Sequence, residues 1–269
     1  MDPGIRPLDI AGLRKQYHSA KPFPFFCIDE FLQPQFVAEI VAAYPTYEEA
    51  RTMGLEFSAV NERLKVQVTD SARFSAPVRR LSDALSSESF LSSMEEITGI
   101  KSLLGDPQLN GGGMHLTGPG GRLDVHVDFN LIAGGTLHRR LNILLYLNPD
   151  WLESWGGEIE FWDKDVKNCV QSFQPTLNRC VVFETSEFSY HGVSPNRCPS
   201  DHVRRSFAAY YYTREAPAAW DGQFHSTVFK ARPNEAVRGS VLMPAEKVGR
   251  EIRGGMDRIK KRVKQLLGK

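Results

Sequence analysis

The sequence predicts a mainly β protein, with an antiparallel sandwich or barrel in its second half, helices before it and a basic helix after it. Three observations carry this. From about residue 107, short segments rich in β-branched and aromatic residues recur: LDVHVDF, LNILLYLN, GEIEFWD, CVQSFQP, RCVVFET, HGVSP and RRSFAAYYYT. Gly, Pro, Asn and Asp punctuate them, as expected of many short antiparallel strands. Several alternate apolar and polar residues with period two, whereas the apolar spacing before residue 100 is helical.

In chain order, PFPFFCIDEFLQPQFVAEIVAAYP (22–45) predicts a short strand, then a helix capped near Gln33–Pro34 that buries Phe36, Ile40 and Val41. Helix-favouring sequence continues through LSDALSSESFLSSMEEITG, where Gly99 supplies a stop. The run GGGMHLTGPGG (111–121) lacks both the Lys-Ser/Thr of a phosphate-binding loop and the spacing of a dinucleotide site. It reads as flexible turns at a pocket rim, with His115 a loop histidine. GMDRIKKRVKQLLGK, at the end, sets Met256, Ile259, Val263 and Leu266 at helical spacing with cations opposite. These elements divide the chain into a strand and helical support region (1–104), a β core (105–215) and a C-terminal extension (216–269), the first two forming one domain.

The composition is that of a soluble globular protein, 41% hydrophobic and 24% charged with a formal net charge of +1. No apolar run reaches the roughly 18–20 residues of a membrane span, and the N-terminus lacks the apolar segment of a secretory signal. Cys27, Cys169, Cys180 and Cys198 are scattered without CxxC spacing, which predicts reduced thiols and a cytoplasmic protein. Nine of the 33 basic residues but only two of the 32 acidic ones fall from Lys247 onward. That basic helix could pack on the body, mediate dimerisation or meet an anionic partner. No basic stripe interleaved with aromatics crosses the core, so nucleic acid is not an expected partner.

The chemistry starts at LDVHVDFN (123–130). Leu123, Val125, Val127 and Phe129 share one face of a strand, and Asp124, His126, Asp128 and Asn130 the other. His126 and Asp128, at i and i+2, point the same way and can reach one ion. His191, in SYHGVSP 63 positions beyond Asp128, is the best third ligand. Two histidines and one carboxylate on one face of a metal mark non-haem Fe(II) oxygenases. An HxD pair alone is weak evidence, because core and surface histidines also produce it.

In DHVRRSFAAYYYT, Arg204 and Ser206 share a strand face and make a guanidinium–hydroxyl pair suited to a buried carboxylate. Taken alone, Arg204 and Arg205 could equally cap a strand end. In RRLNILLYLN, Asn142, Leu144 and Tyr146 share a face, and the Tyr146 hydroxyl could serve the same pocket or bond a backbone carbonyl in the core.

The order HVD (126–128), YLN (146–148), WGGEIEFWD (155–163), HGV (191–193) and RRS (204–206) resembles the Fe(II)- and 2-oxoglutarate-dependent dioxygenases of the prolyl 4-hydroxylase-like superfamily. IDEFL (28–32), followed by a helix, is also similar to that group. The resemblance implies a double-stranded β-helix, or jelly roll, backed by N-terminal helices. It implies Fe(II) held by His126, Asp128 and His191, and 2-oxoglutarate held by Arg204 and Tyr146, with Ser206, Asn142 and Ile159 beside them. The longer segment NRCPSDHV before the arginine pair leaves Arg205 as the alternative binder. The implied reaction consumes oxygen, with ascorbate as accompanying reductant, releases succinate and carbon dioxide, and hydroxylates an unactivated C–H bond. Asp128 argues against halogenation, since relatives that halogenate lack this carboxylate.

Asn130, His138, Arg139, Trp162 and Tyr190 are the candidate substrate contacts, for a polar small-molecule or peptidyl substrate. Two alternatives remain: a metal-dependent cupin, although its usual HxH and following Glu do not occur after His126, and a non-catalytic jelly-roll binding or sensor protein.

Overall fold

The computed structural model describes residues 2–132 and 134–235. The expected basic C-terminal helix lies outside the described residues. Among the described residues the α-helices are α1 (Ile10–Ser19), α2 (Pro34–Ala43), α3 (Tyr47–Met53), α4 (Ala76–Ser86) and α5 (Glu88–Thr98). Strands β1 (Phe25–Ile28), β2 (Leu55–Ser58), β3 (Glu62–Val68) and β4 (Leu104–Gly105) intervene. The rest follow as β5 (Gly113–Val127), β6 (Leu131–Ile132), β7 (Leu137–Tyr146), β8 (Ile159–Trp162), β9 (Cys169–Phe173), β10 (Cys180–Glu184), β11 (His191–Val193), β12 (Arg204–Thr213) and β13 (Val228–Lys230).

Local chemistry sets the helix ends. Pro34 opens α2, where its missing N–H costs nothing. Thr46 and Glu49 form a reciprocal capping box on α3. The polar helical stretch is two helices rather than one, because Ser87 caps α5 by accepting from the Phe90 amide. Gly99, at φ 79°, ends α5 in the left-handed conformation.

The strands follow the order β1-β10-β7-β12-β5-β11-β8-β9, and the long β5 belongs to both halves. Its first part, Gly113–Thr117, pairs antiparallel with β12, and its second part pairs with β11. The sheet thereby curls into two layers, the expected jelly-roll arrangement. Alternation sorts the side chains of β7. Leu141, Ile143 and Leu145 pack outward with Phe36, Ile40, Leu81, Leu85 and Phe90 of the helices. Tyr146 points inward and clusters with Val181 and Phe183 of its own layer and Ile159 and Phe161 of the other. Tyrosines tie the helices to the sheet: Tyr44 Oη donates to the Ser206 carbonyl (2.6 Å) and Tyr211 Oη to that of Leu85 (2.9 Å).

Two sequence expectations change. GGGMHLTGPGG is not a mobile rim: from Gly113 it is β5, held by β12 on one side and by β3 on the other, with Val66 opposite Leu116 and Val68 opposite Met114. Glycine richness masked the alternation of Met114 and Leu116 with His115 and Thr117. Residues 216–235 are also stitched to the core, since β13 pairs with β5 at Val125–Val127. Among the described residues no helix is long and apolar enough to cross a membrane.

Asn178 joins the N-terminal segment to the core. Its Oδ1 accepts from the Leu32 amide (2.8 Å), and its Nδ2 donates to the Leu32 carbonyl (2.9 Å). Its own φ is 64°. Asn178→Ala strands both buried backbone groups and puts a worse residue in the left-handed region. It should lower stability by about 2–4 kcal/mol, read as a fall in the urea midpoint with an unchanged slope.

Candidate active site

Antiparallel pairing of β5 with β11 sets His126 directly opposite His191, with ring centroids 4.3 Å apart. Each Nδ1 lies 2.9 Å from a carbonyl two residues back on its own chain, that of Asp124 for His126 and that of Ser189 for His191. A carbonyl only accepts, so each Nδ1 carries a proton and each Nε2 is the ring nitrogen turned toward Asp128. Both Nε2 atoms are 3.5 Å from Asp128, one from each carboxylate oxygen. The three donor groups offer ligand atoms within 4.8 Å of one another, a mixed N and O set suited to Fe(II).

Asp128 is held from behind. Its Oδ2 accepts from Asn142 Nδ2 (2.8 Å) and pairs with Arg139 Nη2 (3.2 Å). Arg139 Nε also donates to Asn142 Oδ1 (2.9 Å). The Arg139 guanidinium carbon lies 3.6 Å from the centre of the Tyr210 ring and 4.6 Å from that of Phe129. Burial alone would raise the Asp128 pKa, but Arg139 and the two histidines outweigh it and hold the carboxyl well below the usual range. Burial, helped by the neighbouring His126, pulls His191 down to about 3, so it is neutral and ready to coordinate at ordinary pH.

The triad opens into a cavity of about 300 Å³ that also holds Arg204, Ser206, Asn142, Ile159 and Leu144. Arg204 Nε donates to the Gly157 carbonyl (2.6 Å), and the guanidinium carbon sits 5.0 Å from the Tyr146 ring centre. Gly157 has φ 75°, and a Cβ there would lie 3.0 Å from Arg204 Cδ, so the second glycine of WGG is required on both counts. No carboxylate of the described residues lies within ion-pairing distance of Arg204, and Tyr146 Oη is buried without a hydrogen-bond partner. Burial lowers the Arg204 pKa, with Tyr146 opposing, and raises that of Tyr146 to about 12, with Arg204 opposing. A buried cation beside an orphaned hydroxyl fits a carboxylate-bearing co-substrate such as 2-oxoglutarate. Arg205 does not line this cavity.

Asn142, expected beside the co-substrate, spends its amide on Asp128 and Arg139. Asn130 accepts from the His225 amide (3.1 Å) and donates to the Gln223 carbonyl (2.8 Å), so it anchors the C-terminal segment. His138 lines a second, smaller cavity with Arg139 and stacks edge-on against Trp220. Trp162 and Tyr190 line neither cavity. They pack with Val125 and Val127 on the opposite sheet face, where strand alternation from Ile159 and Phe161 places Trp162. His115 and Thr117, which sequence reasoning missed, face the cavity opposite Ser206 and Arg204. Period two in MHLT would have found them. Lys65 and Gln67 of β3, and Thr227 and Phe229 beside β5, also line the cavity and carry no local signal.

A curled antiparallel sheet thus carries a two-histidine, one-carboxylate donor set beside a buried arginine. Residues 112–212 match the family model of the 2OG-Fe(II) oxygenase superfamily. Mouse Prolyl 3-hydroxylase OGFOD1 is 35% identical over 78 residues, which cover 28% of this chain and 14% of that protein. The Xenopus laevis protein of the same name is 38% identical over 60 residues, 21% of this chain and 12% of the relative. The chain thus spans only a small part of the length of these relatives. A prolyl-4-hydroxylase from Pseudomonas putida superposes with a TM-score of 0.54 at 15% identity, covering 77% of this chain and 100% of that one. A prolyl hydroxylase from Trichoplax adhaerens, in complex with a hypoxia inducible factor oxygen degradation domain peptide fragment, gives 0.53 at 17% identity, covering 79% and 96%. These structures share the fold.

The buried histidines generate a pH dependence. His191 and His115 both sit below the ordinary histidine value, His115 through burial first and the nearby Lys65 second. The unfolded chain therefore binds more protons than the folded one once the pH drops below about 6.5, and folding stability falls with it. Asp128, also depressed, adds a loss in the same direction below about pH 3.8. Metal-free protein should show a lower urea midpoint at about pH 5 than at about pH 7.5.

Proposed function

We propose that this chain is an Fe(II)- and 2-oxoglutarate-dependent oxygenase that hydroxylates a C–H bond of a peptidyl or small-molecule substrate. The observation that carries the reading is one cavity holding two facing imidazoles, a carboxylate between them and a buried arginine with no carboxylate of the described residues in ion-pairing contact. Fe(II), with 2-oxoglutarate and oxygen, supplies the oxidising power, releasing succinate and carbon dioxide.

The chain's residues do the rest. His126 and His191 present Nε2 lone pairs, and Asp128 presents negative charge, its orientation fixed by Asn142 and Arg139. Arg204 pairs with the distal carboxylate of 2-oxoglutarate, and Tyr146 donates its unpartnered hydroxyl to the same group. Ile159, Leu144 and Phe183 form apolar wall that excludes water. The volume, about 300 Å³, is at the low end for small-molecule sites. Because the co-substrate shares it, only the reacting portion of a substrate enters, as with one residue of a peptide or a small molecule.

Succinate release in the presence of Fe(II), 2-oxoglutarate and oxygen tests the reading. His126→Ala and Asp128→Ala should each lower it by about 100-fold or more. Arg204→Met should raise the KM for 2-oxoglutarate by about 10–100-fold, the worth of a charge-assisted bidentate contact, while Arg205→Met stays within about twofold of wild type. Triad variants as active as wild type would remove the assignment. Metal analysis showing a preference for Zn or Mn with no succinate would favour the cupin-type alternative.

A further inference from the structure

The segment after β12 returns to the metal-bearing strand. His225 Nε2 lies 2.5 Å from Glu187 Oε2, and β13 then pairs antiparallel with β5, placing Phe229 opposite His126. The two rings lie 5.3 Å apart, and Thr227 and Phe229 both line the cavity. Beyond β13 the chain is fastened by charge. Arg232, 7% exposed, donates through Nε to Glu160 Oε2 of β8 (2.8 Å) and through Nη2 to the Val193 carbonyl of β11 (3.0 Å). Its Nη1 lies 3.6 Å from Asp124 of β5. Glu235 takes both Nη atoms of Arg122 (2.6 and 2.7 Å), and Arg122 also bonds Asp124.

One arginine thus touches three strands of the layer that carries His126 and His191, and Asp124 lends its carbonyl to His126 Nδ1. Nε and Nη2 of this buried guanidinium are met by directed hydrogen bonds, while Nη1 has only the longer approaches to Asp124 and Glu235 (3.6 and 4.0 Å), so its burial rests on these contacts being kept.

We propose that residues 227–235 are a built-in wall of the catalytic cavity, in which Arg232 is a positioning residue that holds Phe229 against the His126 ring and limits water access to the metal side. The part concerning water rests on the metal site proposed above. Phe229 touches the ligand ring directly; Arg232 acts through it and through the carbonyl-bearing strand.

Two measurements on the full chain test this, with Arg232→Met, Arg232→Lys and Phe229→Ala beside wild type. Hydrogen exchange reads the strap whether or not a metal binds. The amides of 227–232 should exchange at least about tenfold faster in Arg232→Met, with Arg232→Lys intermediate, since lysine keeps the charge but not the fork. Water-proton relaxation per bound Mn(II), the ion itself serving as probe, reads access to the metal. It should rise by about 1.5-fold or more in Phe229→Ala and Arg232→Met, an effect a purely structural loss of stability would not produce.

Exchange equal to wild type in Arg232→Met overturns the role of Arg232. Relaxation equal to wild type in Phe229→Ala overturns the wall, and does so even if Arg232→Met fails to fold. Failure of wild type to bind Mn(II) would overturn the wall's water-limiting role together with the metal reading, and exchange would still decide what Arg232 holds.

Discussion

The site depends on one register, His191 opposite His126 across β11 and β5. A slip of one residue would turn His191 to the far face, onto Val125 and Val127, and leave Asp128 with a single histidine. Several contacts prevent that slip. Ser194 donates its amide to the Glu158 carbonyl just beyond β11. Asn196 Nδ2 then reaches the Thr117 and Gly118 carbonyls (2.9 and 3.1 Å) at the bend of β5, while the Asn196 backbone bonds Gly120 and Gly121. Asn196 belongs to the lengthened segment before the arginine pair. The extra residues loop out after this anchor, and β12 enters with Arg204 opposite Thr117.

The fold and the metal-ligand face were legible because period-two alternation is a local property of the chain. RRLNILLYLN sorts its side chains without reference to anything distant. In LDVHVDFN the expected alternation holds at Val125, His126 and Val127 but fails at Leu123 and Phe129, which line the cavity, Phe129 because the regular strand ends at Val127. Residues judged by proximity in sequence fared differently. Trp162 and Tyr190 neighbour the site along the chain yet face away from it, and Asn130 is spent on a segment some 90 residues later. The β2–β3 hairpin and β13 contribute cavity wall through pairings that no local pattern encodes. Their strands are short or flank a glycine-rich run, so partner choice rests on tertiary contacts.

Two buried arginines show how the structure divides its charges. Arg139 and Arg204 are both almost fully enclosed, and each incurs a desolvation cost of several kcal/mol. Arg139 meets that cost internally, with the carboxylate of Asp128, the amide oxygen of Asn142 and two aromatic faces. Arg204 has one backbone carbonyl and the face of Tyr146. The same sheet thus satisfies one cation and leaves the other underpaid, and the difference assigns their roles. Arg139 fixes the Asp128 carboxylate, so its removal would disturb the metal ligand before it disturbed any substrate. Arg204 spends only its Nε on the protein, on the Gly157 carbonyl, and in the proposed reading the rest of its fork serves the carboxylate of the co-substrate. A lysine in its place could match the charge but not the planar fork that Gly157 and Tyr146 hold in position.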